Sequence, residues 1–282
     1  MNKKSIELLE VAKKITGEAT NEVASEISVS GSVSLGYADS YSDLEMDFLN
    51  NITPSQDLRQ DWLQKVGATK IYFREEPEDD GAEVVEFIFG VYKVEIVWQT
   101  YSNLEKVIKD VYELKTHDHE SFVYMWSINK SLILKGDYKL DEYKNKVKEY
   151  PTGLRVTLTE VTLRKWLTTP DEREAALVRK QYFLLNEIIL SDIKGSLRIL
   201  FAINEKWEPY RKWTNIEISK LLYKPAIDLN EVILSFSNPK ESLLLNYRFA
   251  LEVLALVQEK DHRKEVNQKK LLLEQALKKL EQ

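Results

Sequence analysis

Apolar and polar positions follow two different rhythms along this chain. In the first hundred residues, apolar side chains recur at every second position in short segments, which predicts strands. Six of the nine glycines lie in the same part. The predicted strands are Ile27–Ser30, Leu44–Leu49, Lys70–Arg74, Val84–Phe89 and Tyr92–Trp98, with a tight turn at Gly90-Val91 joining the last two.

Longer stretches have the 3–4-residue apolar spacing of amphipathic helices. In the first half this predicts an N-terminal helix ending near Gly17, then helices at Gln60–Val66, Tyr101–Tyr112 (capped by Ser102) and Ser121–Leu134. Beyond residue 150 it predicts helices at Leu158–Leu167, Asp171–Leu190, Ile193–Ile203, Ile216–Leu222, Pro239–Gln258 and Lys264–Gln282. The expected fold is therefore α+β: a mixed-sheet domain at 1–150, then an all-helical domain at 151–282.

Composition narrows the chemistry. At ~150 residues per domain, 282 residues also favour two domains. A net charge of -6 argues against a strongly basic nucleic-acid binder. The chain has no cysteine and three histidines, so a bound metal would need oxygen ligands, as Mg²⁺ does.

The same composition favours a cytoplasmic protein. Absence of cysteine is compatible with a reducing compartment. No apolar run approaches the ~18 residues of a membrane span. Acidic residues at Glu7 and Glu10 interrupt the apolar N-terminal stretch, so it is not read as a signal peptide.

One segment, residues 28–49 (SVSGSVSLGYADSYSDLEMDFL), combines residue types suited to phosphate and metal chemistry. Gly31-Ser32 offers close backbone approach, a hydroxyl and an N–H at the start of a helical turn. Further on, strand alternation places Asp43, Glu45 and Asp47 on one face. Carboxylates two apart on a strand have Cα atoms ~6.7 Å apart. Their oxygens can converge on one Mg²⁺ or bridge two ions ~3.5–4 Å apart.

Gly31-Ser32, ten intervening residues and Asp43-Leu44-Glu45-Met46 together resemble the signature of the DNA polymerase β-type nucleotidyltransferase superfamily. Residues 31–45 resemble its bacterial aminoglycoside and lincosamide nucleotidyltransferase branch. A mixed-sheet catalytic domain precedes a helical domain there. The resemblance is specific over 28–49 and supportive over 1–135. Residues 200–213 are similar to a segment of uncharacterised nucleotidyltransferase-like proteins.

The sequence departs from that signature at two acids. Glu45 stands where Asp is commoner, and Asp47 adds an acid to the same face. A Glu45/Asp47 metal pair therefore stays open, although the spacing from Gly31-Ser32 favours Asp43/Glu45.

The resemblance also implies a third carboxylate on a later strand. Glu95 fits, because it is the lone acid in the apolar run Lys93–Val97 after the predicted hairpin. In the family this acid commonly acts as general base for the acceptor hydroxyl and sometimes also touches metal. Glu86, on the partner strand, is the alternative base.

The implied reaction needs Mg²⁺ as cofactor and ATP, or another nucleoside triphosphate, as co-substrate. AMP, or another nucleoside monophosphate, would move to a hydroxyl of a small molecule, with release of pyrophosphate. Gly31, Ser32 and Ser42 are expected to bind the nucleotide. The resemblance assigns the triphosphate's cation to the helical domain, with Lys212 as first candidate and Arg211 as second.

An aminoglycoside or lincosamide is the acceptor that the resemblance implies. Two aromatic residues and three acids are candidates to contact it: Trp98, Trp126, Glu86, Glu187 and Asp192. Each of these tryptophans by itself is more often a core residue, and Glu187 and Asp192 are each more often surface acids on a helix. His117-Asp118-His119 is interpreted as a polar loop with Asp118 or His119 capping the next helix.

Two other functions stay open. The acceptor can instead be a protein side chain or a nucleic-acid end, or the protein can be an inactive nucleotide-binding regulatory module. The expected partners are a nucleoside triphosphate and a small hydroxyl acceptor, without nucleic acid or membrane. The protein is expected to be a monomer or homodimer.

Overall fold

The chain folds into two compact units, Met1–Glu149 and Tyr150–Gln282. The computed structural model describes residues 1–74, 82–136, 138–167, 170–258 and 262–282. A mixed sheet lies in the first unit, and the described part of the second unit is helical. The predicted α+β fold class is therefore confirmed. The sequence also predicts an acidic turn at residues 77–81, which lie outside the described residues.

The first unit is a six-stranded sheet with helices. Its strands are β1 (Glu26–Val29), β2 (Leu44–Asn50), β3 (Thr69–Arg74), β4 (Glu83–Phe89), β5 (Tyr92–Thr100) and β6 (Leu132–Lys135). Its helices are α1 (Lys3–Gly17), α2 (Gly31–Leu35), α3 (Gln56–Lys65), α4 (Tyr101–Tyr112), α5 (His119–Lys130) and α6 (Lys139–Val147). The strand order is β3-β4-β5-β2-β1-β6. β2 and β5 are parallel, and the other neighbours pair antiparallel.

Strand alternation explains which face of this sheet is buried. Leu44, Met46 and Phe48 point to one face of β2 and are at most 1% exposed. They join the core of the unit with residues from β5, α1 and α3. The intervening acids of β2 therefore lie on the opposite face.

Two local predictions in the first unit were wrong. The predicted helix 121–134 ends at Lys130, and its last residues form β6. Leu132–Lys135 pairs with β1, so tertiary pairing overrides the helical spacing. Thr100 rather than Ser102 caps α4, accepting the N–H of Asn103 at 3.3 Å.

Other local predictions hold. Gly17 is the last residue of α1. Asp118 caps α5 by accepting the N–H of Ser121 at 2.7 Å, as one of the two predicted caps.

The second unit consists of helices around its own core. They are α7 (Leu154–Lys165), α8 (Pro170–Val178), α9 (Tyr182–Ile203), α10 (Thr214–Ser219), α11 (Leu229–Leu234), α12 (Pro239–Leu256) and α13 (Arg263–Glu281), with 3₁₀ turns at Arg211–Trp213 and Ser235–Ser237. The long predicted helix from Asp171 breaks at residues 179–181, where Lys180 has φ +57°. No helix in the described residues is both long and apolar enough to cross a membrane.

Candidate active site on the first unit

Three carboxylates form a row across adjacent strands of the sheet. Glu45 of β2 is the register partner of Glu95 on β5, and Glu95 is the register partner of Glu86 on β4. Directly paired side chains share a face, and neighbouring strands lie about 4.8 Å apart. We call Glu45, Glu95 and Glu86 the carboxylate row. Like charges this close repel one another, so the row needs cations for stability.

The first acid of the row lies against the glycine motif. An added Cβ at Gly31 would fall 1.3 Å from Oε2 of Glu45, and Gly31 has φ +61°. The Ser30 N–H also donates to the backbone carbonyl of Glu45 at 3.1 Å. The backbone conformation at this position therefore favours glycine, and any side chain there would displace the Glu45 carboxylate. The fold thus joins the predicted nucleotide-binding motif directly to a predicted metal ligand.

Two cations neutralise the far end of the row. Arg74, the last residue of β3, donates through Nη2 to both Glu86 and Glu95, at 2.8 Å from Oε2 of Glu95. Lys93 on β5 pairs with Glu86 at 2.6 Å. Hydrogen bonds from Lys93 and then Arg74 lower the pKa of Glu86. Glu86 therefore already has two cationic partners, while Glu95 shares one of them.

Asp47 lies two residues after Glu45 on the same face of β2, beside β1. We call Asp47 and the carboxylate row together the acidic face. The register partner of Asp47 is Ser28, whose hydroxyl donates to the Asp47 carboxylate at 3.3 Å. Burial of the carboxylate, with smaller contributions from the negative charges of Glu45 and Glu95, raises the pKa of Asp47 to about 6. Hydrogen bonds from Ser28 and Ser30 oppose this rise. Asp47 is therefore a carboxylate that carries its charge at a cost.

The other predicted motif residues lie around the start of β2. Asp43 directly precedes β2, and its charge is among those that raise the pKa of Lys93, after the hydrogen bond and charge of Glu86. Ser32 is buried in α2. The Ser42 hydroxyl donates to the Asp39 carboxylate at 3.1 Å and accepts the Asp39 N–H at 2.9 Å. Ser42 therefore holds a turn here, and phosphate binding would require it to change partner.

The acidic face has the donor chemistry that Mg²⁺ prefers, because its side chains offer carboxylate oxygens. Among the described residues, however, no three His, Cys, Asp or Glu side chains form a group that could hold a metal ion. The contacts explain why: Glu45 packs on Gly31, and Glu95 is bound to Arg74. The ligands fit the ion in kind, and assembling them requires a carboxylate to change partner.

A small cavity borders the acidic face. Ser28, Asp47, Gln99, Tyr124 and Ser131 contribute the main polar groups of its lining. Its volume of about 20 Å³ suits a single water molecule. A nucleotide or an antibiotic acceptor does not fit there.

The predicted cations of the second unit lie on a 3₁₀ turn. Lys212 and Arg211 are both exposed. The Lys212 ammonium lies 5.8 Å from the ring centroid of Tyr210 and 5.7 Å from that of Trp213. These cation–π contacts favour a restricted position for the ammonium.

Two of the predicted acceptor contacts, Trp98 and Trp126, are interior residues. Trp98 is 1% exposed, packs edge-on against Phe48, and donates to the carbonyl of Val23 at 3.2 Å. Trp126 is buried on α5. These tryptophans are core residues, which corrects the prediction that they line an acceptor cleft.

Asp192 also departs from its predicted role. It is buried on α9, where Arg173 binds it through two hydrogen bonds of 2.7 and 2.6 Å and Asn246 donates at 3.1 Å. Its charge is matched inside the unit and is not offered to a cationic acceptor. Glu187, on the same helix, is exposed.

Arg74 and Lys93 are site residues that sequence reasoning missed. Both are ordinary strand-end or strand residues in the sequence, and their position on the acidic face depends on the register of β3, β4 and β5. One signal was present: Lys93 lies two residues before Glu95, and alternation places both on one face.

Comparisons with known proteins add limited information. A family described as a domain of unknown function, DUF4037, matches residues 120–214, which excludes the glycine motif and the carboxylate row. No curated protein matches the chain. A crystal structure of a nucleotidyltransferase-like protein from Exiguobacterium sibiricum 255-15 aligns at 12% identity and TM-score 0.38, covering 94% of this chain and 71% of that one. A likeness at that score carries no functional argument, so the function is argued from the residues of the site.

Proposed function

We propose that this protein is a Mg²⁺-dependent nucleotidyltransferase that moves a nucleoside monophosphate, AMP in the first instance, to a hydroxyl of a small molecule. The observation that carries the proposal is the contact between Gly31 and Glu45 combined with the register that sets Glu45 beside Glu95. A phosphate-binding turn and a set of carboxylates are the two parts that nucleotidyl transfer needs. Here one glycine and one carboxylate connect them.

The carboxylates have distinct roles in this proposal. Asp43, Glu45 and Glu95 would hold the metal, with Asp47 as the alternative ligand beside Glu45. When bound, Mg²⁺ supplies positive charge that stabilises the charge developing on the transferring phosphate. The chain itself contributes positioning and fixed electrostatics, which supply most of the rate in phosphoryl-type transfers.

Glu95 is the proposed general base. Its carboxylate takes the proton of the acceptor hydroxyl, the hydroxyl oxygen forms a bond to the α-phosphorus, and the bond from that phosphorus to the pyrophosphate oxygen breaks. Pyrophosphate leaves with the electron pair. Gly31 and Ser32, with Ser42 after a change of partner, would bind phosphate oxygens, and Lys212 or Arg211 would supply a cation from the second unit.

An aminoglycoside or lincosamide is the proposed acceptor class, and this part rests on the resemblance of residues 31–45 alone. Of the acids proposed to contact a cationic acceptor, Glu187 is exposed and Glu86 is partly buried. Because Glu86 is paired with Arg74 and Lys93, Glu187 is the better acceptor contact of the two.

The direct test is transfer of label from ATP. The protein would be incubated with Mg²⁺, ATP labelled at the α-phosphate and a panel of aminoglycosides and lincosamides. A parallel incubation would replace the panel with fractions of a cell extract. The wild type is expected to label at least one compound, and Glu95→Gln is expected to lose that label, because an amide cannot accept the hydroxyl proton. The proposal is overturned if no compound or cell extract fraction is labelled and ATP does not bind.

A second candidate is a nucleotide-binding module without transfer activity. The contact of Arg74 with Glu95 favours it, because this carboxylate must leave the guanidinium before it can accept a hydroxyl proton. The two candidates separate in the same experiment. Mg²⁺-dependent ATP binding with no labelled product in any extract fraction would select the binding module.

A further inference from the structure

Arg74 stands between two members of the carboxylate row. Its Nη2 atom donates to Glu86 and, at 2.8 Å, to Glu95. The Arg74 side chain is 36% exposed, whereas Glu86 and Glu95 are each 24% exposed. The guanidinium is therefore a solvent-reachable cation that holds a less accessible pair of acids together.

The position of this cation conflicts with a divalent ion on Glu95. A guanidinium and Mg²⁺ that share one carboxylate repel each other strongly, because their charges lie within a few ångströms in a partly desolvated site. Arg74 therefore favours the face without metal.

Glu86 gives the guanidinium a place to remain when Glu95 is withdrawn. Arg74 already contacts Glu86, so loss of Glu95 does not leave it without an acid. Lys93 also binds Glu86, at 2.6 Å, so that acid is already neutralised in part. Release of Glu95 returns an Nη2 donor of Arg74 for a second anion, and a triphosphate is an anion that would arrive with the metal.

We propose that Arg74 makes this site bind the divalent cation together with a triphosphate rather than alone. Its guanidinium, paired with Glu95, would repel a metal ion that arrives alone. With metal and triphosphate together, Glu95 would serve as a metal ligand, and the guanidinium, held on Glu86, would bind a phosphate oxygen. Arg74 is thus a triphosphate-binding and positioning residue within the first unit. This inference rests on the proposed function, because it requires that the row binds a metal–nucleotide complex.

The test uses Mn²⁺ as the probe, with the full-length protein and no acceptor. Free Mn²⁺ is measured by electron paramagnetic resonance, with and without a non-hydrolysable ATP analogue. In Arg74→Gln, we expect binding of Mn²⁺ alone to strengthen by about fivefold and binding of the Mn²⁺–analogue complex to weaken by about fivefold. Opposite shifts are the signature, because a residue with a purely structural role would weaken both.

Lys13→Gln is the control. It also removes one positive charge from the first unit, but Lys13 pairs with Glu10 at the surface of α1 and is 54% exposed, so water screens its charge. We expect Mn²⁺ binding within about twofold of wild type. Arg74→Lys keeps the charge and carries the test if Arg74→Gln does not fold; its shifts should have the same two signs and be smaller.

The outcomes separate this inference from the proposed function. If the wild type binds the Mn²⁺–analogue complex and the Arg74 variants shift both affinities in the same direction or neither, the role of Arg74 is overturned and the function stands. If the wild type does not bind the Mn²⁺–analogue complex under any condition, the proposed function is overturned, and this inference is overturned with it.

Discussion

Glu45 lies so close to Gly31 that a side chain at position 31 would displace it. A Cβ there would meet Oε2 of Glu45 at 1.3 Å, and the backbone has φ +61°. Gly31→Ala is expected to destabilise the protein by about 1–3 kcal/mol, because both left-handed strain and displacement of Glu45 oppose it. It should also weaken Mg²⁺-dependent ATP binding at least about tenfold. Urea unfolding and nucleotide titration measure the two effects.

Gly67→Ala separates strain from displacement. Gly67 has φ +81°, but nothing lies within 4 Å of an added Cβ. We expect a stability loss of about 1 kcal/mol from strain and no change in ATP binding. Equal loss of ATP binding in both variants would contradict a specific role for the Gly31–Glu45 contact.

Asp47 predicts a pH dependence of stability. Burial raises its pKa to about 6 in the folded protein, above the ordinary value of 3.8. The folded state therefore holds this proton more tightly than the unfolded state. The free energy of unfolding falls as pH rises from about 4 to about 6, where Asp47 must ionise in the folded protein, and it stays lowered at higher pH. Asp47→Asn removes the cost and should stabilise the metal-free protein at pH 7 by about 1–3 kcal/mol, with little gain near pH 3.5.

Urea denaturation at the two pH values measures that difference. Glu10→Gln is a suitable control, because Glu10 is exposed and pairs only at the surface with Lys13. It should change stability by about 0.5 kcal/mol or less at either pH. A destabilised Asp47→Asn at pH 7 would show that the carboxylate is favourable rather than costly.

At the residue scale, the acids of β2 and β5 were predictable from the sequence, and the cations that pair with Glu86 and Glu95 were not. Alternation alone puts Glu45 and Asp47 on one face, and it also identifies Glu95 as a lone acid on an apolar strand. Arg74 contacts acids 12 and 21 residues away in sequence. That contact depends on how three strands pair, which a one-dimensional pattern does not encode.

At the scale of secondary-structure elements, a buried ion pair connects α8 and α9. Arg173 and Asp192 are 5% and 2% exposed, and Asn246 adds a contact from α12. Arg173→Ala leaves Asp192 buried without its cation, so we expect a loss of about 3–5 kcal/mol. Chemical denaturation measures it.

Arg164→Ala provides the comparison. Arg164 pairs with Glu160 on the exposed face of α7, a surface contact worth at most about 0.5 kcal/mol. If Arg173→Ala costs no more than Arg164→Ala, the buried pair does not stabilise the packing of these helices.

The elements that sequence reasoning placed best are those whose local pattern agrees with their packing. β2 and β5 alternate between buried and partly buried residues over most of their length, and α12 starts at Pro239 behind an Asn238 cap. The prediction was wrong at β6 because the apolar residues of this short segment continue the helical spacing of α5. Hydrogen bonding to β1 instead decides their conformation. The break at 179–181 was not predicted because no Gly or Pro marks it. Lys180 itself takes the left-handed conformation there.

At the scale of the whole molecule, the two units have separate hydrophobic cores. The buried cluster of the first unit runs from Leu8 to Trp98, and that of the second from Leu163 to Ala276. We expect a fragment of residues 1–149 to fold by itself, with a cooperative urea transition followed by far-ultraviolet circular dichroism. A fragment of residues 1–130 lacks β6 and α6, exposes the edge of β1, and should lose most of that cooperativity. A non-cooperative 1–149 fragment would contradict the division.

The central claim is that the acidic face of the first unit binds a metal–nucleotide complex, and this is measurable without knowing the acceptor. Isothermal titration of a non-hydrolysable ATP analogue would compare the wild type with Asp43→Asn and Glu45→Gln, each with Mg²⁺ and with chelator. We predict Mg²⁺-dependent binding in the wild type and a loss of at least about tenfold in both variants. Analogue binding that is absent, or that survives both substitutions unchanged, would contradict the account.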